Sequence, residues 1–149
     1  MAPEVSLREI TKDTVRQITA LDVGAEQHGL VAPNSVSIAE AYFEPKAWFR
    51  AIYAGDEPAG FAMVFRDPAE PVFYIWRFMV DARFQGKGIG RRALELLLEE
   101  ARADGVPEVT LSVVPGPHSA LAFYERCGFE ATGEMHGGEA ELKLTLDPA

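Results

Sequence analysis

The stretch that decides the fold is FYIWRFMVDARFQGKGIGRRALELLLEEA, residues 73–101. Residues 73–80 form a dense apolar and aromatic run, which reads as a strand. A short polar turn follows, then the cluster Gln85-Gly86-Lys87-Gly88-Ile89-Gly90. Beyond it Ile89, Ala93, Leu96, Leu97 and Ala101 recur along one face of a helix, with Arg91, Arg92, Glu95, Glu99 and Arg102 on the other and Gly105 and Pro107 as the stop. Strand, glycine loop and helix therefore follow one another directly. Three glycines at alternate positions leave backbone N–H groups uncovered at a helix start, where the helix dipole also favours an anion. The expected occupant of the loop is a pyrophosphate.

Upstream, residues 48–54 and 59–66 read as two strands joined by the turn Gly55-Asp56-Glu57-Pro58, and a second turn over residues 67–71 leads into the strand at 73–80. Three successive strands with short turns predict an antiparallel meander. Before it, a strand over 4–10 enters a helix over 13–24, where Val15, Ile18, Leu21 and Ala25 keep helical spacing. Ser35 and Ser37 offer N-cap hydroxyls to a second helix running to Tyr42-Phe43 and stopped by Pro45. Downstream, the β-branched run over 108–114 must lie parallel to the strand at 73–80, because a helix crosses between them. Pro115-Gly116-Pro117 breaks the chain, a short helix over 119–127 carries Leu121 and Tyr124, and strands over 129–134 and 140–146 close it. The order β-α-α-β-β-β-α-β-α-β-β predicts an α/β fold, with a mixed, mostly antiparallel sheet and helices on both faces.

A chain of 149 residues is enough for one domain with a sizeable core. No apolar run approaches the roughly 20 residues of a membrane span. A net charge of −9 argues against nucleic acid and anionic membrane as partners and suits a cationic one. Met1-Ala2-Pro3-Glu4 lacks the basic-then-apolar order of a secretory leader, and a single cysteine forms no internal disulfide, so a reducing cytoplasm is expected.

The glycine loop lacks the Gly-x-x-x-x-Gly-Lys-Ser/Thr spacing of a nucleoside-triphosphate site, since Arg91-Arg92 follow Gly90. It also lacks Gly-x-Gly-x-x-Gly with a ribose-binding acid downstream. What it does have is the Gln/Arg-x-x-Gly-x-Gly/Ala signature, in Gln85 to Gly90. Some 35 residues on, Phe123-Tyr124-Glu125-Arg126-Cys127-Gly128-Phe129 follows, a helix bearing tyrosine and then Gly-Phe. In both motifs and in element order the chain resembles the GNAT N-acetyltransferases.

That resemblance implies acetyl-coenzyme A as donor and no metal. It places the pyrophosphate on the backbone amides of Gln85, Gly86, Lys87, Gly88, Ile89, Gly90 and Arg91. The pantetheine then runs along Phe78, Met79 and Val80, where the family splays its two parallel strands. Tyr124 is implied as a cofactor contact and as general acid for the leaving thiolate. Trp76 to Asp81 running into Arg83-Phe84-Gln85, with Glu26-Gln27, residues 37–42 and Gly60-Phe61 upstream, is similar to the bacterial spermine/spermidine (diamine) acetyltransferases. The implied acceptor is a small cationic amine, with Glu26, Glu44, Tyr42, Trp76 and Arg77 as candidate substrate contacts. An amino acid, an aminoglycoside or a peptide amine is the alternative acceptor, and a non-catalytic acyl-coenzyme A sensor the alternative role. Edge strands at the C-terminus are compatible with a homodimer.

An alkyl ammonium with a pKa near 10.4 is neutral in about one molecule per ~10³ at pH 7, so a base must take its proton before it attacks a thioester. Glu26, Glu40, Glu44, Glu70 and His118 are the candidates. His118 also stands near where many family members carry an asparagine that contacts the cofactor. Cys127, at the end of the tyrosine helix, reads as an inert thiol rather than a nucleophile, which favours direct transfer.

Overall fold

The computed structural model describes residues 4–67 and 69–146. Met1-Ala2-Pro3, on which part of the expectation about a leader rests, lies outside them. Strands β1 (Val5–Arg8), β2 (Ala47–Ala54), β3 (Glu57–Asp67), β4 (Val72–Val80), β5 (Glu108–Val113), β6 (Glu130–His136) and β7 (Glu139–Thr145) form one sheet in the order β1-β2-β3-β4-β5-β7-β6. Helices α1 (Val15–Thr19), α2 (Asn34–Ala41), α3 (Ile89–Asp104) and α4 (Leu121–Arg126) cover it. Every pairing is antiparallel except β4 with β5. The α/β architecture and the meander of β2, β3 and β4 match the sequence reading.

Two apolar layers sandwich the sheet. On one face α3 buries Ile89, Ala93, Leu94, Leu97, Leu98 and Ala101 against Ile52, Val64, Phe73 and Ile75, and Tyr124 and Phe129 complete the layer. Leu94 and Leu98 replace Leu96 in the expected buried stripe; Leu96 is only half-buried. Leu94 and Leu97, 1% and 0% exposed, each contribute roughly 1.5–3 kcal/mol by leaving water. On the other face Ile18 and Leu21 pack with Phe61, Met63 and Met79, and Ile38 of α2 joins them.

Two expectations about helices are corrected. The first helix spans only Val15–Thr19, not 13–24. The backbone at Asp22 is captured instead: its N–H donates to the Asp81 carboxylate at 2.9 Å, and its carbonyl accepts from Ala82 N–H at 2.8 Å. Both bonds hold the chain off the helical path. The second helix begins after Pro33 with no side-chain cap. Asn34, 2% exposed, turns its amide inward and donates to the Ile18 carbonyl at 2.9 Å, so α2 is tied to the end of α1 rather than capped by serine.

Two features of β4 position everything that follows. In its pairing with β3, Met63 faces Arg77 and Val64 faces Ile75, so Trp76 is an extra residue, a β-bulge. Bulges bend a strand and increase its twist. On the other side β4 meets β5 only at Tyr74–Thr110 and Ile75–Leu111. Past the bulge the two parallel strands diverge, and among the described residues the β5-facing edge from Trp76 to Val80 has no strand partner.

Candidate active site

The divergence of β4 and β5 opens a groove of about 1270 Å³. One end is floored by Trp76, Arg77 and Phe78; the other reaches Gln85, Gly86, Gly88, Gly90 and Arg91. Residues 111–114 of β5 and its exit, His118, Tyr124 and Cys127 form one wall, and residues 19–23 and 27–34, around the α1–α2 connection, form the other.

The loop end is built for an anion. Gly86 (φ 77°) and Gly88 (φ 81°) adopt the left-handed conformation, where an L side chain is strained, and a Cβ built on either meets no atom within 4 Å. The backbone is thus bare and open on the groove side. Helix α3 has no side-chain cap, and its first turn bonds only through Arg92 N–H to Gly88 at 3.1 Å. Among the described residues, the N–H groups from Gln85 to Arg91 have no protein acceptor. Uncapped amides, the dipole of a long helix and the Arg91 guanidinium together favour phosphate oxygens. The Gln85 side chain has a different task. Its Nε2 donates to the carbonyls of Val80 (2.9 Å) and Val23 (3.2 Å) and to Gln27 (3.2 Å), tying the loop to the opposite wall.

Asp81, which directly follows β4 and is 5% exposed, carries out the same stitching from below. Burial pushes its carboxyl up, but hydrogen bonds from the backbone N–H groups of Asp22 (2.9 Å) and Arg83 (3.0 Å) and from Arg83 Nε (2.9 Å) more than offset this. It stays ionised, below its ordinary value. On the wall it pins, Asp22 Oδ1 accepts from Gly24 N–H at 3.0 Å and lies 2.7 Å from His28 Nε2. The Gly24 bond first and the histidine second lower the Asp22 carboxyl.

On the facing wall Tyr124 lines the groove from within an aromatic cluster, with ring centroids 6.3 Å from Phe78, 5.2 Å from Phe123 and 5.6 Å from Phe129. Burial raises its phenol above the ordinary range, so it keeps its proton at any physiological pH. Among the described residues its hydroxyl has no hydrogen-bond partner. Burial also raises the Cys127 thiol, which therefore carries little thiolate.

The chain matches the acetyltransferase (GNAT) family over residues 16–129. It belongs to that family. It is 28% identical over 142 residues to the spermine/spermidine N(1)-acetyltransferase of Bacillus subtilis strain 168, covering 88% of this chain and 91% of the relative. A [ribosomal protein bS18]-alanine N-acetyltransferase of Salmonella typhimurium is 39% identical over 82 residues, 53% of each chain. Among solved structures, the PaiA N-acetyltransferase of Thermoplasma acidophilum in complex with coenzyme A superposes with a TM-score of 0.74 at 13% identity, covering 96% of this chain and 99% of that one. Acetyl-coenzyme A is the cosubstrate of the GNAT family, and the protein is an acetyl-coenzyme A-dependent acetyltransferase.

Against this GNAT site the sequence candidates divide. Phe78, Met79, Val80, Gln85, Gly86, Gly88, Gly90, Arg91, Tyr124, Trp76 and Arg77 all line the groove. Ile89 points its side chain into the core, 2% exposed, leaving only its N–H for a ligand. Lys87 is exposed and leans over the Phe84 ring at 5.8 Å. Tyr42, 85% exposed, stacks edge-on with Phe43 and is not on the groove; Glu44 caps the turn at Lys46 N–H (3.2 Å). Glu26 reaches His118 across the groove, Oε2 to Nδ1 at 3.5 Å. Of the other candidate bases, Glu40 is bonded to Arg77 at 3.0 Å and Glu70 lies in the turn at the opposite end of β4. Sequence reasoning passed over Asp81, Asp22 and His28. For Asp81 a signal existed, since Asp81-Ala82-Arg83 has the form of an N-cap before a short helical turn. For the other two none did, because a loop carries no periodicity.

Proposed function

We propose that the protein moves an acetyl group directly onto a primary amine of a small polycation, a polyamine being the preferred acceptor. The observation that carries this reading is the groove itself: an unpaired strand edge past the Trp76 bulge, leading to a row of uncapped amides. The amides of Gln85 to Arg91 would hold the diphosphate, and the open edge of Trp76 to Val80 would pair with the amide-bearing arm. When bound, acetyl-coenzyme A supplies an activated acetyl thioester and a thiol leaving group. Tyr124, protonated and facing the groove, is the general acid in this reading. Cys127 is a wall residue, not a nucleophile. Asp22 and Glu139 on the groove and Glu26 at its edge suit an acceptor with several ammonium groups, as does the net charge of −9. The same reading makes the chain one catalytic domain working in the cytoplasm, pairing as a homodimer through the edge strand β6.

One observation favours a second acceptor class. The Arg77 guanidinium lines the groove beside the bulge, and its buried Nε has no hydrogen-bond partner among the described residues. An acceptor that carries a carboxylate next to its amine, such as an amino acid, would suit that cation by taking the place of Glu40, which bonds it at 3.0 Å. Titration with acetyl-coenzyme A and thiol release with spermine, spermidine, a diamine, amino acids and aminoglycosides separate the readings. A polyamine should give the highest kcat/KM. If amino acids outrank polyamines, the polyamine reading is wrong.

A further inference from the structure

The α1–α2 connection places a histidine and a carboxylate on the groove wall that faces Tyr124. The wall they belong to joins, through Val23 and Val31, the apolar cluster of Phe61, Met63 and Met79 on the face of the sheet opposite α3. His28 and Asp22 both line the groove and are 2.7 Å apart. Their geometry fixes more than proximity. Asp22 is held by Asp81 and Ala82 through its backbone and by Gly24 through its Oδ1, so the carboxylate has a set position. A carboxylate oxygen can only accept, so His28 Nε2 carries the hydrogen of the pair. The lone pair of the neutral ring then sits on Nδ1, for which no partner is found among the described residues.

From this geometry we propose that His28, oriented by Asp22, is the group that takes the proton from the acceptor ammonium. The inference rests on the acetyltransferase reading of the groove and names its missing base. In the step, an N–H bond of the ammonium breaks, its electron pair stays on nitrogen, and a bond forms between that proton and Nδ1. The ring becomes an imidazolium bonded through Nε2–H to an Asp22 that remains ionised, and it returns the proton to solvent. Asp22 is a positioning residue, selecting the tautomer and stabilising the imidazolium. The other titratable and charged groups along the groove are Tyr124 and Cys127, both kept neutral by burial, Glu139, Arg77, Arg91 and Arg126, and the His118–Glu26 pair. Asp81 approaches through Asp22 and stays ionised. Among the described residues His118 is therefore the rival imidazole on the groove.

The test is the pH profile of kcat/KM for thiol release from acetyl-coenzyme A, with the best amine of the panel, in wild type, His28→Ala, Asp22→Asn and His118→Asn. Removing the His28 ring should cost about 10²-fold in kcat/KM, within the range of general-base catalysis, and abolish the acid limb of the profile. The dissociation constant for acetyl-coenzyme A should stay put, which also reports that the variant is folded. Free imidazole should restore part of the lost turnover, an effect that a purely structural histidine would not produce. Asp22→Asn should lower the apparent pKa of the limb, and His118→Asn should retain it. An active wild type whose limb survives in His28→Ala, or follows His118 instead, overturns the assignment while leaving the acetyltransferase reading intact. A wild type that turns over no amine overturns both.

Discussion

Replacing Asp81 by asparagine tests how the two walls of the groove are held together. One Asp81 oxygen accepts from Arg83 N–H and Nε, the other from Asp22 N–H. An amide has a single acceptor oxygen. If it faces Arg83, the Asp22 N–H confronts an NH₂ group, and leaving such a part-buried donor unmatched costs about 1 kcal/mol, the low end for an unpaired donor. The ion pair to Arg83, whose side chain is 71% exposed, adds at most about 1 kcal/mol. The sum is about 2 kcal/mol, which for a chain of this length lowers Tm by about 6 °C. Because the carboxyl lies below its ordinary value, its stabilisation is fully present above about pH 4 and is lost as pH falls through the folded value. The Tm gap between wild type and Asp81→Asn, followed by circular dichroism from pH 7 to pH 3, should therefore narrow toward the acid end. The reasoning fails if the two proteins melt together at pH 7, or if the gap widens on acidification.

Three further outcomes are expected. Tyr124→Phe should lower kcat by about 10²-fold with acetyl-coenzyme A affinity within about threefold of wild type, and wild-type turnover would remove the acid role. Cys127→Ala should keep turnover within about threefold, and near-complete loss in a steady-state assay would reopen a covalent route. In Gly60→Ala the new methyl would stand 2.3 Å from the Met79 carbonyl oxygen and 3.2 Å from Ile52 Cδ1, so β3 and β4 must part. A loss of about 1–3 kcal/mol in urea unfolding is expected, and an unchanged midpoint would mean that the contact is relieved cheaply.

The meander, the glycine loop and the helix after it were readable because each rests on local chemistry: alternation, turn residues, a 3.6-residue repeat. So was the α/β class, because a strand, a helix and a strand in succession leave few topologies. The loop residues Gln85, Gly86, Gly88, Gly90 and Arg91 and the tyrosine Tyr124 come together as their motifs imply. The first helix was overestimated because Asp81, 59 residues away, competes for the Asp22 backbone, and a propensity argument does not see such a partner. Glu44 and Tyr42 have the chemistry of a cation site, carboxylate and aromatic, but their placement off the groove depends on where α2 ends. The Asp22–His28 pair was illegible for a related reason. Its members are six residues apart in an irregular segment, and long-range bonds to Asp81, Ala82 and Gln85, with the packing of Val23 and Val31, bring that segment to the groove.

The seam at Tyr74–Thr110 and Ile75–Leu111 gives this sheet four borders rather than two: the outer ones at β1 and β6, and an inner pair facing each other across the groove. Open strand borders invite foreign strands, and outer ones are commonly guarded by charge, proline or bulges. The inner pair needs no such guard. Its two sides converge at the seam, so an intruding strand long enough to pair with Trp76 to Val80 would run into the apex of the wedge, whereas a thin flexible chain with a few amide groups would not. The sheet can therefore keep unpaired backbone permanently available in the middle of a folded domain, selecting its occupant by girth alone.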